Sequence, residues 1–159
     1  MAELTHFDET GASRMVDVGA KSVTLRQSRA EGRVMMQPET MALIRDRKMA
    51  KGDVLEVARL AGIMATKRTD ELIPLCHSLG LDSATVDFEI VSERELRIES
   101  NVTVQGRTGV EMEAMLAVSI SALTVYDMCK SVDRAMQITG IRLLEKRGGK
   151  SGHYVAEPA

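Results

Sequence analysis

An α+β fold, with helices packed on one face of an antiparallel sheet, follows from three features of this 159-residue sequence. Two stretches alternate apolar and polar residues with the period of a strand: Val86, Phe88, Ile90 and then Leu96, Ile98, Ser100, Val102, Val104. Only SERE (92–95) separates them, which makes an antiparallel hairpin. Helical patterns flank the hairpin, and a final apolar run, ITGIRLLEK (138–146), reads as one more strand.

Taken in order, residues 1–14 are polar and expected to be flexible. MVDVGAK (15–21) alternates and predicts a short edge strand. RVMMQ (33–37) predicts a strand, and Pro38 then suits the first turn of a helix through PETMALIRDRKM (38–49). Asp53 is placed to cap a second helix, where Val54, Val57, Ala58, Ala61, Met64 and Ala65 recur at helical spacing. GRTG (106–109) breaks the second hairpin strand, and a long helix is expected from about Val110 to Met136. Its middle is apolar almost all round, which predicts burial by the sheet and by another subunit. The tail, 147–159, is expected to be flexible. The order β-αα-ββ-α-β is a ferredoxin-like split pattern with its first helix doubled, in a single domain spanning 1–159.

Composition excludes several classes. The formal net charge of −2 supplies no basic field for nucleic acid, and 3% aromatics with no Trp leave no stacking platform for single strands. The longest charge-free stretch, Ala114 to Tyr126, falls short of the roughly 20 residues of a membrane span. Cys76 and Cys129 are the only cysteines, and with no secretory signal they fit a reducing cytoplasm.

Chemistry concentrates in a few places. Asp127 and Lys130, three apart in YDMCK, are neighbours on one helix face. They read either as an exposed ion pair of little energetic weight or as a proton-exchanging pair at the edge of a buried surface. In GVEME, Glu111 and Glu113 precede Asp127 by 16 and 14 positions. The latter spacing is about 21 Å along one helix. One small ligand reaches both ends only in a site shared between subunits. Two stretches are locally basic, RDRKMAK (45–51) and RLLEKRGGK (142–150), each with net charge +3. The second runs into GGKSG, whose mobile backbone and lysines suit a polyphosphate. It is not a Walker loop, because Leu144 stands where the first glycine belongs.

Cys76-His77 sits inside the apolar LIPLCHSLGL (72–81). Zinc is disfavoured, since the other candidates, Cys129, His6 and His153, show no ligand spacing. Adjacent residues tend to point apart, which argues against a Cys/His nucleophile pair. A pocket histidine that moves protons or binds phosphate, and a core histidine donating to a carbonyl, both remain open.

Together KGDVLEVARLAGIMATKRTDELIPLCH, TGVEMEA, LTVYDMCK and GGKSG resemble the molybdenum cofactor biosynthesis protein C family, the cyclic pyranopterin monophosphate synthases. The likeness runs from about Thr5 to Gly152. It implies a ferredoxin-like fold, a homohexamer built as a trimer of dimers, and pockets between subunits. The implied reaction converts 3',8-cyclo-7,8-dihydro-GTP into cyclic pyranopterin monophosphate and releases pyrophosphate. By motif, Asp127, Lys130, Lys51 and His77 would be catalytic. Leu75, Cys76 and His77 would form the substrate wall, and Met112 and Glu113, with Glu111 nearby, would bind the purine-derived or pterin end. Lys146, Lys150, Lys21 and Arg26 would hold the triphosphate. No resident cofactor is implied; whether a divalent ion accompanies the triphosphate is open. Ser78 departs from the family, which commonly has proline there, and would loosen that loop. The rivals are a nucleotide-binding protein on the same fold that does no chemistry, and an RNA-binding module, disfavoured because neither central strand carries aromatic RNP residues.

Overall fold

The structure, a computed structural model, describes residues 6–158. Its elements are β1 (Thr24–Met35), α1 (Pro38–Arg45), α2 (Val54–Thr66), α3 (Thr69–Leu72), β2 (Ser83–Ser92), β3 (Glu95–Gly106), α4 (Glu111–Cys129), β4 (Gln137–Arg147) and β5 (Tyr154–Val155). The strands form one antiparallel sheet in the order β2-β3-β1-β4-β5. The first four adopt the ferredoxin-like order, and β5 extends the β4 edge.

The alternation holds throughout the second hairpin strand, where Leu96, Ile98, Ser100, Val102 and Val104 are buried beneath the helices. It fades along the first, where Val86 is buried, Phe88 half-buried and Ile90 exposed. α4 lies over them and against α2, burying Ala114, Ala117, Val118, Ala122 and Val125. By length and composition α4 could cross a membrane, but half of its apolar window is buried inside the fold. Asp53 caps α2 as expected, accepting from the Glu56 N–H.

The opposite sheet face is a lattice of charge. Arg29 and Arg97 both grip Glu99, at 2.6 and 2.5 Å, while Arg97 and Arg142 reach Glu31 at 2.7 and 2.9 Å.

Several expectations change, and the first helix ends at Arg45, not Met49. MVDVGAK forms no strand; β1 begins at Thr24 instead and runs unbroken to Met35. Its helix-facing positions are Ser28, Ala30, Gly32 and Val34, small because α4 rests on them, so the first half shows no apolar alternation. The long helix stops at Cys129, not Met136. Asp133 holds the chain that follows, accepting from the N–H groups of Gln37 and Ala135 and from the Thr40 hydroxyl. The tail is seated: β5 pairs with β4, Arg142 donates to the Glu157 carbonyl, and His153 contacts Glu145 at 2.6 Å. At the other end, residues 6–14 close a turn around Asp8 through the Phe7–Ser13 bridge, and the rest of the stretch expected to be flexible, residues 1–5, lies outside the described residues.

Candidate active site

The α1–α2 loop and the C-terminal end of α4 bring three residues together. Lys130 Nζ lies 2.6 Å from Asp127 Oδ1, and Lys51 Nζ lies 3.7 Å from Oδ2 while donating to the Asp127 carbonyl at 2.9 Å. Lys130, then Lys51, hold the carboxyl below its ordinary value, so it is ionised at neutral pH. The basic run 45–51 explains how Lys51 comes to be committed here. Arg45 and Lys48 are occupied by Asp46, and Arg47 by Asp53. Cys129 behind the cluster is fully buried, and burial together with Asp133 pushes its thiol up to about 11. It is no nucleophile at neutral pH.

A second set gathers at the opposite end of α4. A hollow of about 530 Å³ is lined by Val16, Leu75, Cys76, His77, Met112 and Glu113 among others. MVDVGAK therefore serves as pocket wall. His77 Nε2 meets the Val16 carbonyl at 2.7 Å. A carbonyl only accepts, so Nε2 carries the hydrogen and Nδ1 is the nitrogen left for a ligand. Leu75 has φ +67°, a left-handed conformation that costs a side-chain-bearing residue energy and concentrates at working sites. The Cys76 thiol is raised by burial and by the charges of Glu113 and Asp70, which excludes a reactive thiolate beside His77. Ser78 ties its hydroxyl to Asp70, a bond proline could not make, so its loop is anchored.

Glu113 is 4% exposed, and burial, then the charges of Glu111 and Asp70, raise its carboxyl to about 7. Near neutral pH it can both donate and accept, which suits the edge of a heterocycle carrying N–H and C=O groups.

A third set adjoins the second. A hollow of about 830 Å³ is lined by Lys21, Arg26, Arg107, Lys146 and Lys150 with Glu111. Arg26 donates to the carbonyls of Gly106 and Arg107, fixing the turn between β3 and α4. Gly148 and Gly149 take the left-handed conformation, at φ +98° and +77°, and a Cβ on Gly148 would lie 2.1 Å from the Leu25 carbonyl oxygen, a backbone atom that cannot step aside. Conformation and that close approach are the physical need for glycine in GGKSG. Lys21, Thr108, Gly109 and Glu111 line both hollows, which therefore form one trough.

The expected residues thus fall into two groups within one chain. Asp127, Lys51 and Lys130 form one; His77 instead joins Leu75, Cys76, Met112, Glu113 and Glu111, with Lys21, Arg26, Lys146 and Lys150 next along the trough. The fourteen steps along α4 from Glu113 to Asp127 separate the groups by about 21 Å. The sequence reading missed Arg107, which sits in GRTG between a strand and a helix start, the kind of turn that lines pockets. It also missed Val16, whose alternating stretch MVDVGAK pointed to an edge strand. Among the described residues, no three His, Cys, Asp or Glu side chains gather as a metal-ion site.

Comparison with known proteins bears on this geometry. The model of the MoaC family matches residues 15–149. A cyclic pyranopterin monophosphate synthase of Chloroflexus aurantiacus is 63% identical over 153 residues, 96% of this chain and 94% of its own. Cyclic pyranopterin monophosphate synthase 3 of Mycobacterium tuberculosis is 62% identical, over 95% of this chain and 85% of its own. The synthase of Methylobacterium sp. strain 4-46 is 59% identical over the full length of both. Both groups of residues lie within a match of that extent, and the chain belongs to the MoaC family.

Proposed function

We propose that the chain is a cyclic pyranopterin monophosphate synthase, a lyase of molybdenum cofactor biosynthesis. It converts 3',8-cyclo-7,8-dihydro-GTP into cyclic pyranopterin monophosphate with release of pyrophosphate. The observation that carries the catalytic assignment is the convergence of Lys51 and Lys130, from separate motifs, on the single carboxylate of Asp127.

In this reading the guanine-derived rings lie against Leu75, Cys76, His77, Met112 and Glu113, and the triphosphate lies along Lys21, Arg26, Lys146 and Lys150. Ring opening and reclosure need protons moved at nitrogen and carbon. Lys51 and Lys130 move them, with Asp127 orienting both ammonium groups. His77 serves through Nδ1 at the ring end. The lysines also stabilise the charge that develops as pyrophosphate leaves. No resident cofactor enters the reaction; a divalent ion, where one rides with the triphosphate, arrives with the substrate. The two free cysteines support a cytoplasmic setting.

The 21 Å gap supports a site shared between subunits, in which the Asp127 group of one subunit meets the trough of another; the assembly that the family likeness implies is a homohexamer, a trimer of dimers. Mixing Asp127→Ala with His77→Ala protein tests this. Activity regained in mixed oligomers is expected; none regained would place both groups in separate, single-chain sites.

The test of function is turnover of 3',8-cyclo-7,8-dihydro-GTP, followed by pyrophosphate and pterin product. Asp127→Ala should lower kcat by roughly 10²–10⁴-fold. Substrate binding without turnover in the wild type would instead leave a nucleotide-binding protein.

A further inference from the structure

The cationic hollow holds a carboxylate that sits badly with a phosphate site. Five cations line it with two acids, Asp17 and Glu111. Asp17 accepts from the Gly19 N–H in its own loop. Among the described residues only Glu111 of the two lies against a cation, with Lys146 Nζ 2.5 Å from its Oε1. Among the described residues, Lys21, Arg26, Arg107 and Lys150 make no ion pair, so Lys146 alone of the five is held by an acid. The pair is well shielded, with side chains 26% and 23% exposed.

The place matters as much as the contact. Glu111 lines both hollows, so its ion pair with Lys146 crosses the waist of the trough. The side chain reaches that position by folding over Gly109, where an added Cβ would lie 2.0 Å from Oε2. Any ligand running from Glu113 to Lys150 passes this waist, and its first phosphate arrives where the carboxylate lies.

We infer that Glu111 is a built-in counter-anion: it holds Lys146 in the empty trough, yields that lysine to the substrate's phosphate, and reclaims it as pyrophosphate departs. It is a positioning residue acting through Lys146. The inference deepens the proposed function and rests on its placement of the triphosphate.

The physical reason lies in what substrate and product share. Both present phosphate anions, and a site that gripped phosphates alone would retain the released pyrophosphate as firmly as it bound substrate. A competing carboxylate weakens every anion, but the substrate is also held by its rings, whereas free pyrophosphate is not. The internal acid therefore shifts selectivity from product toward substrate.

Calorimetric titration with inorganic pyrophosphate tests this without needing turnover. Glu111→Gln should bind pyrophosphate about three- to five-fold more tightly than wild type, the scale of one partly exposed ion pair. Lys146→Met should weaken it, and the gain from E111Q should vanish in the double variant. If E111Q does not fold, Glu111→Asp, one methylene shorter, should show a smaller gain of the same sign. Equal or weaker pyrophosphate binding by E111Q, or a gain that survives in the Lys146→Met background, overturns the inference while leaving the function intact. A wild type that binds neither pyrophosphate nor tripolyphosphate overturns the inference together with the phosphate placement beneath it.

Discussion

Glu31 on the open sheet face and Glu113 in the trough are equally hidden, at 3% and 4% exposure, yet they lie on opposite sides of the ordinary carboxylate range. Burial pushes Glu31 up, but hydrogen bonds from Arg97 and Arg142 and the charge of Arg33 bring it below its usual value. Glu113 is set deeper among protein atoms, with no cation against it among the described residues and two acids nearby, so it rises to about 7. Desolvation alone therefore does not decide the protonation state of a buried acid; its neighbours do. Glu31 serves the sheet, and Glu113 keeps an unsatisfied preference that a bound heterocycle can answer.

Removing Glu31 tests the first half of that contrast and should have the largest effect on stability. Glu31→Ala leaves Arg97 and Arg142 without the anion they share, but Arg97 keeps Glu99 and both guanidinium groups reach water, so the cost should fall at the low end of that for breaking a buried pair, about 3 kcal/mol. Urea unfolding at pH 7 and fixed protein concentration measures it. Because the folded carboxyl is depressed, its stabilisation is present above the unfolded value near 4.5 and is lost as pH falls from there through the folded value. A wild type whose stability did not fall over that acid range would refute the ionised assignment.

Glu113→Gln should do the reverse. Its folded carboxyl is raised, so the folded state holds a proton that the unfolded chain has released between pH 4.5 and about 7. Stability therefore falls as pH rises through that window, and above it the ionised acid costs about 3 kcal/mol. E113Q removes the penalty: it should be the more stable protein at pH 8 and nearly equal to wild type at pH 4. Equal stability at pH 8 would show that the acid is relieved by a partner.

The two acids were unequally legible in the sequence. GVEME stands in a motif, at the start of an unmistakably apolar helix, so Glu113 could be singled out. Glu31 lies in RAEGR, where small residues on the helix side and charged residues on the other erase the apolar alternation of a strand. The same cause hid the first nine residues of β1. Asp127 and Lys130 were legible because three positions on a helix fix a shared face; Lys51 joins them across 76 positions, a contact only the motif resemblance supplied. Val16, bound to His77 across 61 positions, lies in the alternating MVDVGAK, a pattern that pointed to an edge strand and not to a pocket wall. The tail's order was hidden for a related reason, since two residues of β5 are too few to show a period.

A finer test separates charge from burial at Glu113. Asp70→Asn removes the smaller of the two acidic influences, after burial and Glu111, and keeps an acceptor for the Ser78 hydroxyl. The Glu113 midpoint, followed by NMR of its side-chain carboxyl carbon, should move down from about 7. The Cys76 thiol, raised in part by the same Asp70, should move down with it. Movement of Cys76 alone would mean that burial and Glu111 account for Glu113, and an upward shift of either group would contradict the electrostatic ordering.

The smallest effect belongs to Arg33, the outermost cation around Glu31. It stands 3.9 Å from Glu31, whereas Arg97 and Arg142 make direct hydrogen bonds, and its own close partner is Glu95 at 2.8 Å. Its side chain is 32% exposed, so water screens both pairs. Arg33→Ala should therefore cost below about 1 kcal/mol in urea unfolding at pH 7. It should raise the Glu31 titration midpoint while leaving the acid ionised at neutral pH. Were the cost to approach that of Glu31→Ala, the anion would be held by the collective field of three arginines. A small cost instead assigns its ionisation to the two guanidinium groups that touch it, the contacts Glu113 lacks.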